Sequence, residues 1–374
     1  MAGLLTAEEE VFQSDVRAFC QHVASTSSPT QYYEGRGGDT RKLYQQIGER
    51  GWLHQSWPVA FGGAGKPVSY DFLLWNELAY WRLARPDLGP GIVAHLIIEY
   101  GSAEQRDRFL PDIAAGRSCY SLGYSEPDAG SDLAGLTTRA RRSADCYVVD
   151  GEKCWTSDAH HAQYLWLLVR TGSADSRARG LTLLICPTDL PGLSIAPIRT
   201  MDGHRLNLVR LDEVRIPVNL RVGPENEAWT MIRQALAVER HLQLLPGRAR
   251  RDLEDLFIRC EENDLLTDQG IRERLAPLVM GVLGVEASAL TTVRQMISGI
   301  DAALQAARTR LIGSRLLQDI SRAALELLGE EALVADSIFE LMWRETIMET
   351  IAGGTSEILE GLIARQGLQL GVLQ

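Results

Sequence analysis

The sequence predicts an α+β protein in which a helical region, a β region and a second helical region follow one another. Apolar residues recur at helical spacing from Thr6 to about Gly116, then alternate with the period of strands, and return to helical spacing from Pro224. Because helices and strands occupy separate stretches and do not alternate, a doubly wound parallel sheet is disfavoured. We expect an N-terminal helical domain at 1–117, a β-domain at 118–222 and a C-terminal helical domain at 223–374.

Local signals support each region in turn. Thr6 and Glu9 have the spacing of a capping box at the start of a helix, and Phe12 begins the apolar stripe that follows. Pro224 suits the first turn of the helix that opens the last region. The strand-like runs of the middle region are 147–149, 164–169, 181–186 and 206–211.

The composition excludes several classes of protein. With 374 residues the chain is too long for a single core, and its net charge of −11 offers no basic surface for nucleic acid. An anionic substrate must therefore be met by a local positive cluster. The N-terminus lacks a signal-peptide pattern, and no apolar run approaches the roughly 20 residues of a membrane span. Six cysteines without CxxC spacing indicate reduced thiols, a cytoplasmic location and no metal site.

Two polar segments of the β region carry the strongest functional signal. The segment Tyr124–Asp132 predicts a strand that ends in a turn rich in Pro, Gly, Asp and Ser, which exposes N–H groups and hydroxyls. In the second, Asp150-Gly151 predicts a hairpin and places Trp155 in a strand beside small hydroxyl residues. An aromatic face beside hydroxyls suits a flat heteroaromatic ring with polar edges. The alternative is an ordinary β-turn and a core tryptophan.

Together these segments resemble the signature of the acyl-CoA dehydrogenase family, and the order of the three regions resembles its fold over nearly the whole chain. The resemblance implies an N-terminal helical domain, a β-barrel-like middle domain and a C-terminal four-helix bundle. It also implies FAD as the cofactor and the α,β-dehydrogenation of an acyl-CoA thioester, with hydride transfer to flavin N5. Ser131 is expected near the CoA portion of the substrate as well as the flavin. The flavin contacts implied in the β region are Leu122, Ser125, Ser131, Trp155 and Ser157.

The C-terminal segment Ile351–Ile358 resembles the family's second flavin-binding segment. The resemblance implies flavin contacts from Thr355 and Glu357, and a substrate contact from the backbone N–H near Gly353. The family usually has an aromatic residue and a glutamate where this chain has Ala352 and Gly353. That glutamate removes the α-proton in many members, and glycine cannot do so. The alternative for the two glycines here is a plain loop.

Another carboxylate can serve as the base. Glu239 lies on the apolar stripe of the helix predicted over Glu225–Leu242. A buried glutamate is costly unless it is paired or functional, and desolvation raises its pKa and makes it a stronger base. A salt bridge to Arg240 is the alternative. The resemblance favours Glu239 as the base, because some members that act on bulky or branched acyl groups, including actinobacterial steroid side-chain enzymes, carry it at this helical position.

The resemblance also bears on substrate and assembly. It places Arg240 near the bound acyl-CoA, with a surface arginine as the alternative. Homotetrameric members carry a Gln-x-x-Gly-Gly segment that reaches a neighbour's flavin, whereas this chain has Glu326 and Glu330 at the glutamine and the second glycine. The family's Arg-x-x-Phe segment is also unmatched at 246–253. Carboxylates beside a diphosphate are repulsive. We therefore expect an α2β2 heterotetramer with a sister acyl-CoA dehydrogenase subunit in preference to a homotetramer.

Two other functions remain open from the residues alone. The chain could be a non-catalytic partner that stabilises an active sister subunit, because the usual glutamate is missing. It could also be another flavoenzyme of this fold, such as a monooxygenase or an oxidase acting on a carrier-bound substrate. For the catalytic reading we expect an electron-transfer flavoprotein-like acceptor.

Overall fold

The computed structural model describes residues 5–26, 40–239, 242 and 244–370, and for residues 234–239 it describes the backbone alone. The helices in these ranges are α1 (Ala7–Ala24), α2 (Thr40–Glu49), α3 (Ser69–Tyr80), α4 (Ala94–Tyr100), α5 (Ala103–Ala114), α6 (Ala228–Glu239), α7 (Pro246–Glu262), α8 (Gln269–Ile297), α9 (Ala303–Leu328), α10 (Ile338–Met348) and α11 (Ser356–Leu362). The strands are β1 (Tyr120–Gly123), β2 (Arg139–Ser143), β3 (Cys146–Lys153), β4 (Tyr164–Arg170), β5 (Leu181–Pro187), β6 (Leu193–Arg199), β7 (Arg205–Pro217) and β8 (Arg221–Val222).

The predicted α+β class is confirmed, because helices precede and follow a continuous series of strands. The elements form two compact units. The sheet unit contains α2, α4, α5, α6 and strands β1–β8, whereas the bundle unit contains α1, α3 and α7–α11. Each unit combines segments that are distant in sequence. The predicted division into three domains, with boundaries at 117 and 222, therefore stays a prediction.

Strands β1–β8 form one mixed sheet with the order β6-β7-β3-β2-β4-β5-β8, and β1 pairs in parallel with β4. The four strand-like runs predicted from the sequence lie in β3, β4, β5 and β7, as expected. β4 is buried throughout except at Tyr164, which explains why its sequence is a continuous apolar run and not an alternating one. Its side chains belong to a core that includes Trp166, Leu168, Ile185 and Val214.

The hairpin predicted at Asp150-Gly151 is wrong. β3 continues through Gly151 to Lys153, and its register against β7 shifts between Val149 and Gly151, which marks a bulge. Gly151 has a φ of 150°, and a Cβ there would lie 2.6 Å from the Thr138 hydroxyl oxygen. Glycine is therefore required by a close approach within the sheet, not by a tight turn.

In the bundle unit, α7, α8 and α10 all pack against α9. The shared core is aliphatic and includes Leu256, Val282, Leu317, Ile320 and Met342. The capping box predicted at the first helix is present, since the Glu9 N–H donates to the Thr6 hydroxyl at 3.3 Å and the Thr6 N–H donates to the Glu9 carboxylate at 2.9 Å.

One helix of the described residues, α8, is long and apolar enough by length and composition to cross a membrane. This differs from the prediction that no apolar run approaches the length of a membrane span. Leu275, Val282 and Val285 of α8 lie in the bundle core, and the Glu286 carboxylate accepts from Arg250 at 2.6 Å. These contacts are those of a core helix in a bundle.

Candidate functional site

The centre of the candidate site is a buried ion pair between Glu126 and Lys153. Glu126 lies in the turn after β1, and Lys153 is the last residue of β3. The Lys153 ammonium donates to the Glu126 carboxylate at 2.8 Å and to the Tyr124 carbonyl at 3.0 Å. The lysine and glutamate side chains are 0% and 5% exposed. The pair therefore ties the turn to the end of β3 where solvent screens it little.

Glu126 also accepts the hydrogen bonds that close the remainder of this turn. Its carboxylate accepts from the Thr137 N–H at 2.6 Å, the Thr137 hydroxyl at 2.8 Å and the Thr138 N–H at 2.8 Å. Burial raises the pKa of Glu126, but the Lys153 ammonium and these hydrogen bonds outweigh burial and hold the pKa at about 2. Glu126 is therefore ionised at neutral pH and joins its own turn to the segment before β2 and to β3.

Trp155 lies just beyond β3, not in a strand, and its side chain is 56% exposed with a φ of 58°. The N–H of Cys154 donates to the Ser125 carbonyl at 2.9 Å, so the motif turn and Trp155 are adjacent. On its other side, Thr156 exchanges hydrogen bonds with Asn207 at 3.0 and 2.9 Å. The left-handed conformation costs such a residue about 1–2 kcal/mol. An exposed indole held in a strained conformation contradicts the core-tryptophan interpretation and indicates a ligand surface.

The other predicted contacts of the β region also lie in the sheet unit. Ser157 is exposed, and its carbonyl accepts a short hydrogen bond from the Ser121 hydroxyl of β1. Leu122 is half-buried in β1, in parallel register with Trp166 of β4. Ser131 is exposed in the turn after β1. The hydrogen bond from Cys154 to Ser125 thus connects the two sequence motifs, and the Ser157 carbonyl is bonded to β1 through Ser121, whereas Ser131 lies farther along the turn.

Arg170, at the end of β4, braces the loop that follows Ser131. Its buried guanidinium donates to the carbonyls of Ala134 at 2.7 Å, Leu136 at 2.9 Å and Arg177 at 2.9 Å. Sequence reasoning missed this residue. The available signal was a cation at the end of an otherwise apolar strand, where a charge is costly unless it is fully bonded.

The C-terminal motif lies in the bundle unit. Gly353 and Gly354 have φ values of 68° and 106°, and the Thr355 hydroxyl caps α11 by accepting from the Ile358 N–H at 3.3 Å. Glu357 is exposed in the first turn of α11. A glutamate at position 353 would have to adopt the left-handed conformation, which glycine adopts without cost. The glycine at the family's usual base position is therefore suited to the backbone of this turn.

Glu239 is the last residue of α6. The helix buries Ile232 of the predicted apolar stripe, and also Met231, which was not part of that stripe. The Glu239 side chain and the whole of Arg240 lie outside the described residues, so their roles remain predictions.

Comparison with known proteins identifies the family of this chain. Models of the acyl-CoA dehydrogenase N-terminal, middle and C-terminal domains match residues 6–117, 121–214 and 226–368. The chain belongs to the acyl-CoA dehydrogenase family, and it is an acyl-CoA dehydrogenase, a flavin-dependent oxidoreductase.

Its relatives include the acyl-CoA dehydrogenase FadE26 of Mycobacterium tuberculosis, which is 31% identical over 390 residues and 98% of each chain. Among solved structures, a chain of the Tcur3481-Tcur3483 steroid ACAD is 30% identical, with a TM-score of 0.93 over 98% of each chain. A chain of the ChsE4-ChsE5 complex from Mycobacterium tuberculosis is also 30% identical, with a TM-score of 0.91 over 100% of each chain.

The structure supplies features that fit a flavin. Trp155 offers an exposed aromatic face with the Ser125 and Ser157 segments bonded beside it. Within the part of the bundle unit that the structure describes, the N–H groups of Gly353 and Gly354 donate to no backbone carbonyl. Free N–H groups of this kind bind phosphate or ribityl oxygens.

We expect Glu126→Gln to destabilise the protein by about 3–5 kcal/mol at pH 7, because it leaves the Lys153 ammonium buried without its counter-charge. The matched control is Glu152→Gln, which removes a 2.8 Å pair with Arg210 that is largely exposed, and it should cost less than about 1 kcal/mol. The measurement is the free energy of unfolding in urea.

The same comparison has a defined pH dependence. The pKa of Glu126 is depressed from 4.5 to about 2, so its stabilisation is complete above pH 4.5 and is lost as pH falls toward 2. The difference between the native protein and Glu126→Gln should therefore shrink below pH 4.5. If Glu126→Gln and Glu152→Gln lowered the free energy of unfolding equally at pH 7, the stabilising role of the buried Glu126–Lys153 pair would be contradicted.

Proposed function

We propose that this chain catalyses the FAD-dependent α,β-dehydrogenation of a bulky acyl-CoA thioester. The observation that carries the proposal is the exposed Trp155, which lies between Cys154, bonded to the Ser125 carbonyl, and Ser157, whose carbonyl accepts from Ser121. When bound, the FAD supplies the acceptor for the β-hydride of the acyl group. The chain's own residues supply binding, orientation and movement of the α-proton.

Seven residues are proposed to hold the FAD. Trp155 would lie against the flavin ring, and the hydroxyls of Ser125 and Ser157 would bond its polar edge. Ser131 would bond near the flavin phosphate and the CoA portion of the substrate, with its loop braced by Arg170. The remaining proposed contacts are Leu122, Thr355 and Glu357.

The α-proton is proposed to move to Glu239. Gly353 cannot accept a proton, but its N–H can donate to the thioester carbonyl and stabilise the enolate charge that develops as the proton leaves. Such stabilisation lowers the pKa of the α-carbon, and a carboxylate at the end of the apolar helix α6 is a suitable base. Arg240 is proposed to contact the bound acyl-CoA.

The proposal of a bulky, steroid-like acyl group is supported by the relatives. The Tcur3481-Tcur3483 structure is named a steroid ACAD, and it aligns with this chain over 98% of both. The absence of a glutamate at 353 is common to this chain and to the family members that we expect to act on bulky groups. A prolyl acyl carrier protein oxidase also has this fold, but at 22% identity the similarity supports a shared fold and not a shared substrate.

A non-catalytic role beside an active sister subunit is the second candidate, and the glycine at 353 is the observation that favours it. For the catalytic role we propose an electron-transfer flavoprotein-like acceptor. We propose a cytoplasmic location, which is supported by six cysteines that are all free thiols.

The assembly is proposed to be an α2β2 heterotetramer. Two neighbours of similar fold are complexes of two different chains. Glu330 is exposed in the turn after α9, as the repulsion argument requires. Glu326 forms a short ion pair with Arg274, which partly offsets its charge. The repulsion of a neighbouring flavin's diphosphate is therefore expected mainly from Glu330.

Replacing Trp155 with alanine should weaken FAD binding without unfolding the protein, because an aromatic stack contributes about 0.5–1.5 kcal/mol beyond buried area. The check is flavin content after dialysis, with Trp229→Phe as a control in the sheet unit. Retention of FAD equal to that of the native protein would remove Trp155 from the site.

Glu239→Gln should lower the rate of flavin reduction by an acyl-CoA by about 10²–10⁴-fold, with FAD still bound, because it removes a general base. Glu227→Gln, an exposed carboxylate one residue before α6, is the matched control. Adding Gly353→Glu is not expected to restore the rate, because a φ of 68° strains a glutamate there. Rapid stopped-flow reduction of Glu239→Gln would contradict the assignment.

A heterotetramer of this type should hold two flavins per four chains. Flavin absorbance against protein concentration, together with native mass of the chain alone and with a co-expressed sister subunit, measures this ratio. A stable homotetramer of this chain with one FAD on every subunit would overturn the proposed assembly.

A further inference from the structure

Arg310 of α9 donates hydrogen bonds to the turn that precedes Gly353. One nitrogen of its guanidinium donates to the Glu349 carboxylate at 2.7 Å. The other donates to the Glu349 carbonyl at 2.9 Å and to the Ala352 carbonyl at 3.0 Å. A planar guanidinium can make these bonds together because its donors have a fixed fork geometry.

Packing does little to hold this turn. Ile351 is 62% exposed, and Ala352 and Gly353 are exposed as well. The Ser356 N–H donates to the Thr350 carbonyl at 3.0 Å, which closes the end of the turn toward α11. The N–H groups of Ile351 and Ala352 donate to the Met348 carbonyl at 2.9 and 3.0 Å, and Arg310 adds bonds to the Glu349 and Ala352 carbonyls.

Arg310 is itself fixed through Glu349. The Arg248 guanidinium of α7 donates to Glu349 at 3.0 Å and to Glu345 at 2.8 Å, and all three side chains are at most 10% exposed. Burial raises the pKa of Glu349, but Arg310, Arg248 and Arg85 outweigh burial and hold that pKa at about 2. Glu349 is thus a permanent anion bonded by guanidinium groups from two helices.

The same network continues to the end of α3. Arg82 pairs with Asp252 of α7 at 2.8 Å and with Asp255 at 2.5 Å, and Arg85 forms a short pair with Glu345. The network therefore joins α3, α7, α9 and α10. Buried charges are costly unless every member is bonded, so a connected set of this size resists displacement of any one member.

The network ends at the Ala352 carbonyl, which belongs to the same peptide group as the Gly353 N–H. We propose that Arg310 is a positioning residue that sets the Gly353 N–H for its hydrogen bond to the thioester carbonyl. The inference rests on the proposed function, because the thioester is the group on which Gly353 acts. Arg310 touches neither substrate nor flavin in this account and acts through the backbone of the turn.

The test compares Arg310→Met, Arg310→Lys and the control Arg308→Met, an exposed arginine on the same helix. The probe is 2-cyclohexylacryloyl-CoA, labelled with ¹³C at the thioester carbonyl, which is the product expected from 2-cyclohexylpropanoyl-CoA. Infrared difference spectra of the bound probe report the hydrogen bond as a downshift of the carbonyl stretch. Steady-state rates with the saturated thioester and thermal unfolding are measured beside them.

We expect Arg310→Met to remove most of the downshift and to lower kcat by about 10²-fold, the scale of one lost oxyanion donor, while KM changes less than about threefold. Arg310→Lys keeps the positive charge but lacks the forked donors of the guanidinium. It should therefore lose part of the carbonyl downshift, less than Arg310→Met does, at near-native thermal stability. Arg308→Met should match the native protein. If Arg310→Met fails to fold, Arg310→Lys decides the question.

A native downshift in a folded Arg310→Met, or in Arg310→Lys when Arg310→Met does not fold, would overturn the inference and leave the proposed function intact. A fall in kcat that is matched by thermal destabilisation, with the downshift unchanged, would likewise show a structural role only. If the native protein shows neither a downshift nor flavin reduction, the proposed function fails first, and the inference falls with it.

Discussion

The buried ion pair between Glu126 and Lys153 is the constraint on which the sheet unit's candidate site depends. It joins the turn after β1 to the end of β3, and the backbone bond between Ser125 and Cys154 follows from that junction. Trp155 follows Cys154 directly, and it is exposed and has a left-handed conformation just beyond the end of β3. A buried pair of this kind contributes less to net stability than to holding one arrangement of the chain.

Much of the fold and the chemical character of the site could be predicted from the sequence. The change from helical to strand periodicity located β3, β4, β5 and β7, and an aromatic among hydroxyls indicated a ligand surface. The sequence did not reveal the partnership of Glu126 with Lys153, because the two residues are 27 positions apart and pair only once the sheet has formed. Asp150-Gly151 was misread for a similar reason, since a bulge against β7 and a hairpin use the same residues.

The bundle unit shows the same principle at the C-terminal motif. The sequence identified the departure at Gly353, but its consequence depends on Arg310 and Glu349, which lie on different helices and meet only in the folded chain. Position 353 carries glycine in place of the family's usual glutamate, and Arg310 donates to the Glu349 and Ala352 carbonyls just before it. Under the proposed function, this turn binds the thioester carbonyl through the Gly353 N–H, and Glu239 takes the α-proton.

We propose that this chain is a working dehydrogenase with a flavin and its own base, and not a non-catalytic partner. The most direct measurement is an anaerobic titration of the purified protein, assembled with its sister subunit, with a bulky acyl-CoA while the visible flavin spectrum is recorded. The account predicts bleaching of the flavin absorbance near stoichiometric substrate, lost when Glu239→Gln is introduced in this chain alone. Bleaching that is unchanged by Glu239→Gln, or a complex with no flavin spectrum, would contradict it.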